Sequence, residues 1–318
     1  MAHLVIRLRN WVGDVTLGLP MLQRLHDVGF ELQLVGRPWA AELLRGHGWA
    51  VAPLASGLRA RVAQLRTLRR AALAADPGFD RHPNALCLPY SFSSALDMRL
   101  AGLRAIGHAH EGRTPLLTRA LQRPAGAHEL EVYWQLGNAL LGSAAPPPAS
   151  IGLRVAAADT AAAQALRERH GIGDGYIVIC PFAGGTFEKM DKTWPGFADF
   201  VASDLSGWGR PIVICPGPGE VEVARTRFNS ALLLEDVRLG VYASLLKGAA
   251  LMISNDTGPG HIAAAVGTPT LSVLGPTDPG QWRAWGPTVR IVSGRPGWPD
   301  RGAVSAAARA MLAASRPS

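Results

Sequence analysis

The chain has 318 residues, of which 48% are hydrophobic and 18% are charged, so it can build a large core and is not expected to be disordered. Its 32 Lys and Arg against 24 Asp and Glu give a net charge of +8. That charge favours an anionic partner such as a nucleotide, a phosphorylated lipid surface or nucleic acid, although a GC-rich genome would produce the same arginine bias.

Other features restrict the cellular compartment. No apolar stretch approaches the ~18 residues of a membrane span, and the N-terminus lacks the pattern of a signal peptide. The three cysteines are Cys87, Cys180 and Cys215, and no CxxC pair is present, which argues against disulfides and zinc. We therefore expect a cytoplasmic protein.

Strands and helices alternate along the first half of the chain. Apolar runs predict strands at 3–8, 32–36, 49–54 and 85–88, and helical patterns predict helices at 14–28, 39–46, 58–75, 92–103 and 129–141. The helix at 58–75 is strongly amphipathic and carries five arginines, which indicate a solvated face, with a nucleic-acid stripe as the alternative. The segment around His108 and His110 is predicted as a loop, and it lacks the carboxylates or cysteines of a metal site.

Residues 142–150 form the clearest linker, because three consecutive prolines give a semi-rigid extended spacer. The alternation then restarts. Strands are predicted at 176–180, 211–215, 232–234, 250–254 and 269–274, and helices at 160–170, 197–205, 220–228, 241–248, 261–266 and 303–314.

This order predicts an α/β protein with two Rossmann-like, doubly wound domains that face each other across a cleft. The first domain is predicted at 1–150 and the second at 151–302. The C-terminal tail, 303–318, is predicted to be a helix that could pack back on the first domain. Ligands of such sheets bind beyond the carboxyl ends of the strands, so polar residues there are the candidates for function.

The stretch at 250–280 has the strongest signal. A buried strand leads into Asn255, Asp256, Thr257 and Gly258, and a short helix carrying His261 follows. Such a strand–turn–helix directs free N–H groups and a helix dipole at one point, which makes an anion site. An ordinary β–α turn with a good cap is the alternative.

Three further segments add polar groups after predicted strands. Asp14 follows the first strand and could be a general base or simply a helix cap. Thr186 and Lys192 follow a strand and a glycine pair that could cradle a phosphate, although Lys192 could equally be a surface lysine. Glu220 could hold ribose hydroxyls or merely begin the next helix. The segments do not match a Walker A loop, a complete dinucleotide fingerprint, a zinc-protease motif or a serine-hydrolase elbow.

Taken in order, these motifs resemble glycosyltransferase family 9, the ADP-heptose:lipopolysaccharide heptosyltransferases. The similar segments are NWVGD at 10–14, SFSSA at 91–95, CPFAGGTFEKMDKTWP at 180–195 and SNDTGPGHIAAAVGTPTLSVLGPTDP at 254–279. The tryptophan before Val12 is closest to the heptosyltransferase II type. The match extends from residue 3 to about 280, which is most of the chain.

The resemblance implies a GT-B fold and an inverting transfer of heptose from ADP-heptose to the lipopolysaccharide inner core, with no metal or other cofactor. It implies that the first domain binds a lipid-linked core oligosaccharide at the inner membrane and that the second binds the nucleotide sugar. The implied roles are the base for Asp14, ribose binding for Glu220, contact with the transferred sugar for Asp256, and phosphate binding for Thr186, Lys192, Thr257, Gly258 and His261. A nucleic-acid partner is not expected, because basic strands with aromatic residues for base stacking are not evident.

Three departures from the family pattern affect these expectations. Ser93 replaces a basic residue, Gly260 replaces a larger residue, and residues 232–240 lack the usual Gly-x-Thr pattern. Two alternatives therefore stay open: a relative that uses another nucleotide sugar or a protein acceptor, and a non-catalytic protein that binds nucleotide sugars.

Overall fold

The computed structural model describes residues 2–184, 186–187 and 190–314, with only the backbone at 186–187. Two compact units divide the chain, Met1–Pro148 (unit 1) and Ala149–Ser318 (unit 2). The boundary lies within the proline-rich segment at 142–150. The beginning of that segment is fixed to unit 1, because the Trp134 indole and the Asn138 amide both donate to the Ala145 carbonyl, at 2.7 and 2.9 Å.

Unit 1 is an alternating α/β unit. Its strands are β1 (Ala2–Arg7), β2 (Phe30–Gly36), β3 (Val51–Pro53), β4 (Ala85–Cys87), β5 (Ala105–His108) and β6 (Arg119–Leu121), and its helices are α1 (Val12–Asp27), α2 (Pro38–Leu43), α3 (Leu58–Ala75), α4 (Phe92–Leu100) and α5 (Glu129–Leu141).

All described strand pairs of unit 1 are parallel, and the sheet order is β3-β2-β1-β4-β5-β6. The strand order reverses between β1 and β4, and that reversal is the switch point at which doubly wound folds bind ligands. Side chains from α3 and α4 close one face of the sheet in a core that includes Leu65, Ala95 and Met98. The loops after β1 and β4 are therefore the expected functional edge of this unit.

Unit 2 repeats the same plan. Its strands are β7 (Ile177–Cys180), β8 (Thr186–Phe187), β9 (Met190–Asp191), β10 (Ile212–Ile214), β11 (Leu232–Leu233), β12 (Leu251–Ser254), β13 (Thr270–Leu274) and β14 (Val289–Ser293), and its helices are α6 (Ala157–Arg169), α7 (Phe197–Ser203), α8 (Val221–Arg227), α9 (Leu239–Gly248), α10 (Gly258–Ala265), α11 (Pro279–Trp282) and α12 (Arg301–Ala314).

The main sheet of unit 2 is parallel, with the order β11-β10-β7-β12-β13-β14, and β8 and β9 form a separate antiparallel pair. If only the strands of the main sheet are numbered, their order is the same as in unit 1, and the order reverses between β7 and β12. The prediction of an α/β protein with two doubly wound sheets is confirmed.

The C-terminal helix belongs to the core of unit 2. Its apolar side chains pack with a cluster of edge-to-face aromatic rings; the helix contributes Val304, Ala307, Ala308 and Leu312, and the rings are Trp194, Phe197, Phe200 and Phe228. Full burial of a large apolar side chain stabilises a fold by about 1.5–3 kcal/mol. The C-terminal helix thus completes the core of unit 2.

The structure differs from the sequence expectations mainly at five strands. The loop predicted at His108, His110 and Arg113 begins one residue later than expected, because residues 105–108 form β5 between β4 and β6. Strands β5, β6, β8, β9 and β14 were not predicted. Among the described residues, no helix is both long and apolar enough to cross a membrane.

Candidate active site

Asp14 lies in the first turn of α1, just beyond the carboxyl end of β1, at the switch point of unit 1. The helix begins at Val12, and Trp11 is its N-cap residue. Asp14 is therefore the third helical residue and not the N-cap, and its carboxylate lies near the positive end of the helix dipole.

Both carboxylate oxygens of Asp14 are held by side chains. The Tyr133 hydroxyl, on α5, donates a hydrogen bond of 3.0 Å to Oδ1. The Nε atom of Arg9 lies 3.3 Å from Oδ2, and the Asp14 side chain is 11% exposed. Because Tyr133 is fully buried, α5 fixes the direction in which the carboxylate points. The carboxylate is both oriented and accessible, as a general base must be.

A second layer of charged and aromatic groups surrounds Arg9. Its guanidinium lies 4.3 Å from the centroid of the Tyr90 ring, and the Tyr90 hydroxyl donates to Glu129 Oε1 at 2.6 Å. The fully buried Glu129 also pairs with Arg123 at 2.6 Å. Burial alone lowers the pKa of Arg9, but the acidic groups around it raise that pKa by more. Arg9 therefore stays charged and can hold Asp14 in place.

Asn255 joins the two loops that meet at the switch point of unit 2. Its Nδ2 donates to the Pro181 carbonyl, after β7, at 2.7 Å, and its Oδ1 accepts from the Trp194 backbone N–H at 3.1 Å. Asn255 itself directly follows β12 and is buried. The loop that carries Lys192 is thereby held beside the turn that carries Asp256.

Lys192, Asp256 and His261 form the charged cluster of unit 2. Lys192 Nζ lies 3.0 Å from Asp256 Oδ2, and His261 Nε2 lies 3.8 Å from Asp256 Oδ1. Burial raises the pKa of Asp256, but His261 and Lys192 lower it by more, so that the pKa lies below its ordinary value. The distance to His261 exceeds hydrogen-bond length, so Lys192 is the close partner. The three residues, predicted as one site, do lie together.

Helix α10 presents its N-terminus next to this cluster. Thr257 is the N-cap residue in an extended conformation, and its side chain makes no capping hydrogen bond. The Gly258 amide is thus not capped by that hydroxyl, whereas Pro259 has no N–H group and the Gly260 N–H already donates to the Thr257 carbonyl at 3.1 Å. The Gly258 N–H group therefore lies at the position where helix N-termini bind anions.

Gly260 is explained by packing within this helix. A Cβ atom placed on Gly260 would lie 2.5 Å from Ser254 Oγ, a hydroxyl for which the described structure shows no hydrogen-bond partner. The missing side chain therefore gives room to Ser254 at the end of β12.

Glu220 makes no described contact with the charged cluster. Glu220 is the N-cap residue of α8, and its Oε2 accepts from the Gly217 backbone N–H at 2.7 Å, so one oxygen stabilises the turn that follows β10. The side chain of Thr186 lies outside the described part of the structure.

A metal site is not evident in the described residues, which contain no group of three or more His, Cys, Asp and Glu side chains able to hold an ion. The buried His108 contacts an amide instead, with its Nε2 3.0 Å from Gln135 Oε1.

Comparison with known proteins identifies the family. The model of glycosyltransferase family 9 (heptosyltransferase) matches residues 78–309, well over half of the chain. The chain belongs to glycosyltransferase family 9. Lipopolysaccharide heptosyltransferase 3 of Escherichia coli is 34% identical over 125 residues, 36% of this chain and 35% of that protein. Lipopolysaccharide heptosyltransferase 1 of Pseudomonas aeruginosa PAO1 is 46% identical over 58 residues, 18% of this chain and 16% of that protein. The match spans about a third or less of these curated relatives.

Solved structures of this family share the whole fold. The E. coli ADP-heptose lps heptosyltransferase II superposes with a TM-score of 0.80 at 20% identity, and 99% of each chain is covered. The E. coli heptosyltransferase WaaC with ADP superposes with a TM-score of 0.70 at 21% identity, with 99% and 100% covered. The two sheets of this family 9 chain therefore have the GT-B architecture that its motifs predicted.

The family match covers only part of the candidate site. It includes Lys192, Glu220, Asp256 and His261, but it begins beyond Asp14. The assignment of Asp14 consequently depends on its place at the switch point and on its contacts with Arg9 and Tyr133.

Two residues of this arrangement were missed in the sequence. Arg9 had a local signal, since it lies two residues beyond the end of β1. Tyr133 had none, because it lies 119 residues from Asp14 in the chain.

Proposed function

We propose that the chain transfers a heptose from ADP-heptose to the lipopolysaccharide inner core, with inversion at the anomeric carbon and without a metal ion. Family membership and the names of the relatives support this proposal. The observation that carries it is the position of Lys192 and His261 around Asp256, beside the N-terminus of α10, because a departing diphosphate needs several hydrogen-bond donors at one place.

In this proposal unit 2 binds the donor. Lys192, His261 and the Gly258 amide at the start of α10 stabilise the diphosphate as its negative charge grows. Thr257 and Gly258 supply part of that N-terminus, and Thr186 is assigned to the phosphates through the family resemblance alone. Each preorganised donor on developing charge contributes about 10²–10³ in rate. Together they supply the charge stabilisation that other transferases obtain from a metal ion.

Two carboxylates complete the donor site. Glu220 retains one oxygen for the ribose hydroxyls while the other holds the Gly217 amide. Asp256 contacts the transferred sugar and keeps Lys192 in place, since the two are 3.0 Å apart.

Asp14 is the general base on unit 1. It accepts the proton of the acceptor hydroxyl while the hydroxyl oxygen forms a bond to the anomeric carbon, and the bond from that carbon to the phosphate oxygen breaks, releasing ADP. A single displacement of this kind inverts the configuration. A positioned base contributes about 10²–10⁴ in rate.

The acceptor in this proposal is a lipid-linked core oligosaccharide at the cytoplasmic face of the inner membrane, with which the enzyme makes peripheral contact. A screen of nucleotide sugars against a truncated core acceptor tests the proposal. Transfer from ADP-heptose alone is expected. Transfer from a different nucleotide sugar, or to a protein, would indicate the first alternative, and tight binding of donor without turnover would indicate a non-catalytic binding protein.

A further inference from the structure

The positive charge of this chain is concentrated on one helix. Unit 1 has sixteen arginines and no lysine against ten acidic residues, a net charge of +6, whereas unit 2 accounts for the remaining +2. Five of those arginines lie on α3, whose eighteen residues include no acidic side chain. A helix of a single charge sign creates a field that attracts an extended anionic partner.

Two of the five arginines are neutralised inside unit 1. Arg61 pairs with Asp97 on α4 at 2.5 Å, and Arg69 pairs with Asp80. These two ion pairs attach α3 to the rest of unit 1. Because each arginine is paired with an aspartate, neither contributes an uncompensated positive charge to the surface.

The other three arginines form an outward-facing stripe. Arg59, Arg66 and Arg70 are exposed, and their spacing of seven and four residues places them on the same side of α3. At 1.5 Å per residue the stripe extends over about 17 Å. The exposed Ala63 and Thr67 lie between them, so no bulky side chain separates the stripe from a flat surface.

Exposed apolar side chains border this stripe. The described part of the chain has seven large exposed hydrophobic residues, and three of them are on α3 and α4: Leu58 is 43% exposed, Phe92 43% and Leu100 45%. Arg66 connects the two features, because its Nη2 donates to the Leu100 carbonyl at 3.0 Å. Arg99, also exposed, precedes Leu100.

We infer that this α3–α4 surface, made of Arg59, Arg66, Arg70, Arg99, Leu58 and Leu100, docks unit 1 on an anionic lipid bilayer. Exposed arginines attract the acidic headgroups of a bilayer within about a Debye length, and the neighbouring leucines enter the boundary between headgroups and acyl chains. Helix α3 carries no aromatic side chain, and Phe92 on α4 is a single exposed ring at the border of the stripe, whereas proteins that bind nucleic-acid strands stack successive bases on several rings; this favours a bilayer over a nucleic acid. The inference rests on the proposed function, because a lipid-linked acceptor requires the enzyme to work at such a surface.

Vesicle flotation tests the surface without any turnover. The purified full chain is mixed with vesicles of phosphatidylcholine alone or with added phosphatidylglycerol, at low and high salt. We expect binding only to the anionic vesicles, and loss of that binding at high salt. Binding that is equal on both kinds of vesicle, or absent from both, would overturn the inference.

The deciding variants change charge in matched amounts. Arg59→Gln, Arg66→Gln and Arg70→Gln together keep a good helix former and remove three charges. One arginine at an anionic surface is worth about a fivefold change in partitioning, so about a hundredfold weaker binding is expected. The control, Arg169→Gln, Arg227→Gln and Arg290→Gln, removes three exposed charges from unit 2 and should bind within about threefold of the parent. An equal loss in both triple variants would show a non-specific charge effect and refute the surface.

Two further measurements separate the remaining outcomes. Leu58→Ser with Leu100→Ser leaves the net charge unchanged and should weaken vesicle binding about tenfold; no change would refute insertion of the leucines.

Transfer to a deacylated, water-soluble core acceptor should be unaffected in the triple arginine variant, whereas transfer to the acylated core acceptor embedded in vesicles should fall. Vesicle binding without any transfer would reject the proposed function and leave the surface standing. Tighter binding to a DNA duplex than to vesicles, lost in the same variant, would assign the surface to nucleic acid.

Discussion

The hydrogen bond from Tyr133 to Asp14 is the contact whose removal tests the candidate base most selectively. Tyr133→Phe deletes one oxygen from a fully buried side chain and keeps the ring. Burial raises the pKa of Tyr133 well above its ordinary value, so the hydroxyl is a donor at every pH used for assay. A hydrogen bond to a charged group is worth about 1.5–3 kcal/mol.

Two effects of this substitution oppose each other. Without the hydroxyl the carboxylate loses a stabilising donor, which makes it a somewhat stronger base. It also loses its anchor on α5 and can rotate toward Arg9, which already lies 3.3 Å from Oδ2. Misplacement of a reacting group by about 1 Å can cost about 10²-fold in rate, whereas the gain in basicity is a few-fold. Misplacement therefore dominates, and we expect kcat to fall about tenfold or more.

The assay compares kcat, KM and ADP affinity of the parent and the variant. ADP affinity should not change, because the residues proposed to bind it are in unit 2. Tyr176→Phe is the matched control, since this buried tyrosine donates its hydroxyl to the Leu245 carbonyl within unit 2. The control should lose comparable stability and keep its kcat. A Tyr133→Phe enzyme with kcat within twofold of the parent would refute the positioning of Asp14 by α5.

Other residues give independent predictions. Lys192→Ala should weaken ADP binding about tenfold or more, as measured by calorimetry, because the substitution removes a partly buried cation from the proposed phosphate site. Unchanged ADP affinity would exclude Lys192 as a phosphate ligand. The pKa of Asp256 is lower in the folded chain than in the unfolded chain, where it is about 3.9, so the ionised carboxylate stabilises the fold. That stabilisation is complete above about pH 3.9 and is lost as the pH falls through the pKa of the folded state. The difference in unfolding free energy between the parent and Asp256→Asn, measured in urea, should therefore be constant above about pH 5 and shrink below about pH 4; a constant difference throughout would contradict the ion pair. Burial raises the pKa of Cys180 to about 12, so iodoacetamide at neutral pH should leave this thiol unmodified until urea unfolds the chain, and rapid labelling of the native protein would contradict its burial.

Local signals in the sequence were sufficient for most of the helices. The predicted limits of α3 and α5 agree with the structure, since Gly57 precedes one helix and a capping box of His128 and Glu131 begins the other. Strands β5 and β6 could not be predicted in the same way. They contain small or charged residues, such as Gly107 and Arg119, and become strands through pairing with neighbouring strands. Strand β14 differs from them, because its sequence VRIVS is rich in β-branched residues and does indicate a strand.

The same distinction applies to the site. Asp256 and His261 are five residues apart in one turn–helix motif, so the sequence alone placed them together. Lys192 joined them through the family resemblance, and the structure shows the contact. The contact between Tyr133 and Asp14 depends on the packing of α5 against α1, and no local pattern encodes it.

Heptose transfer with Asp14 as the base can be followed in single-turnover reactions with ADP-heptose and a truncated core lipid, read by mass spectrometry. We expect the parent enzyme to add one heptose to the acceptor with release of one ADP. Asp14→Asn should bind ADP normally but form product at least about 10²-fold more slowly. An acceptor of unchanged mass with the parent enzyme, or product formed at the parental rate by Asp14→Asn, would contradict this proposal.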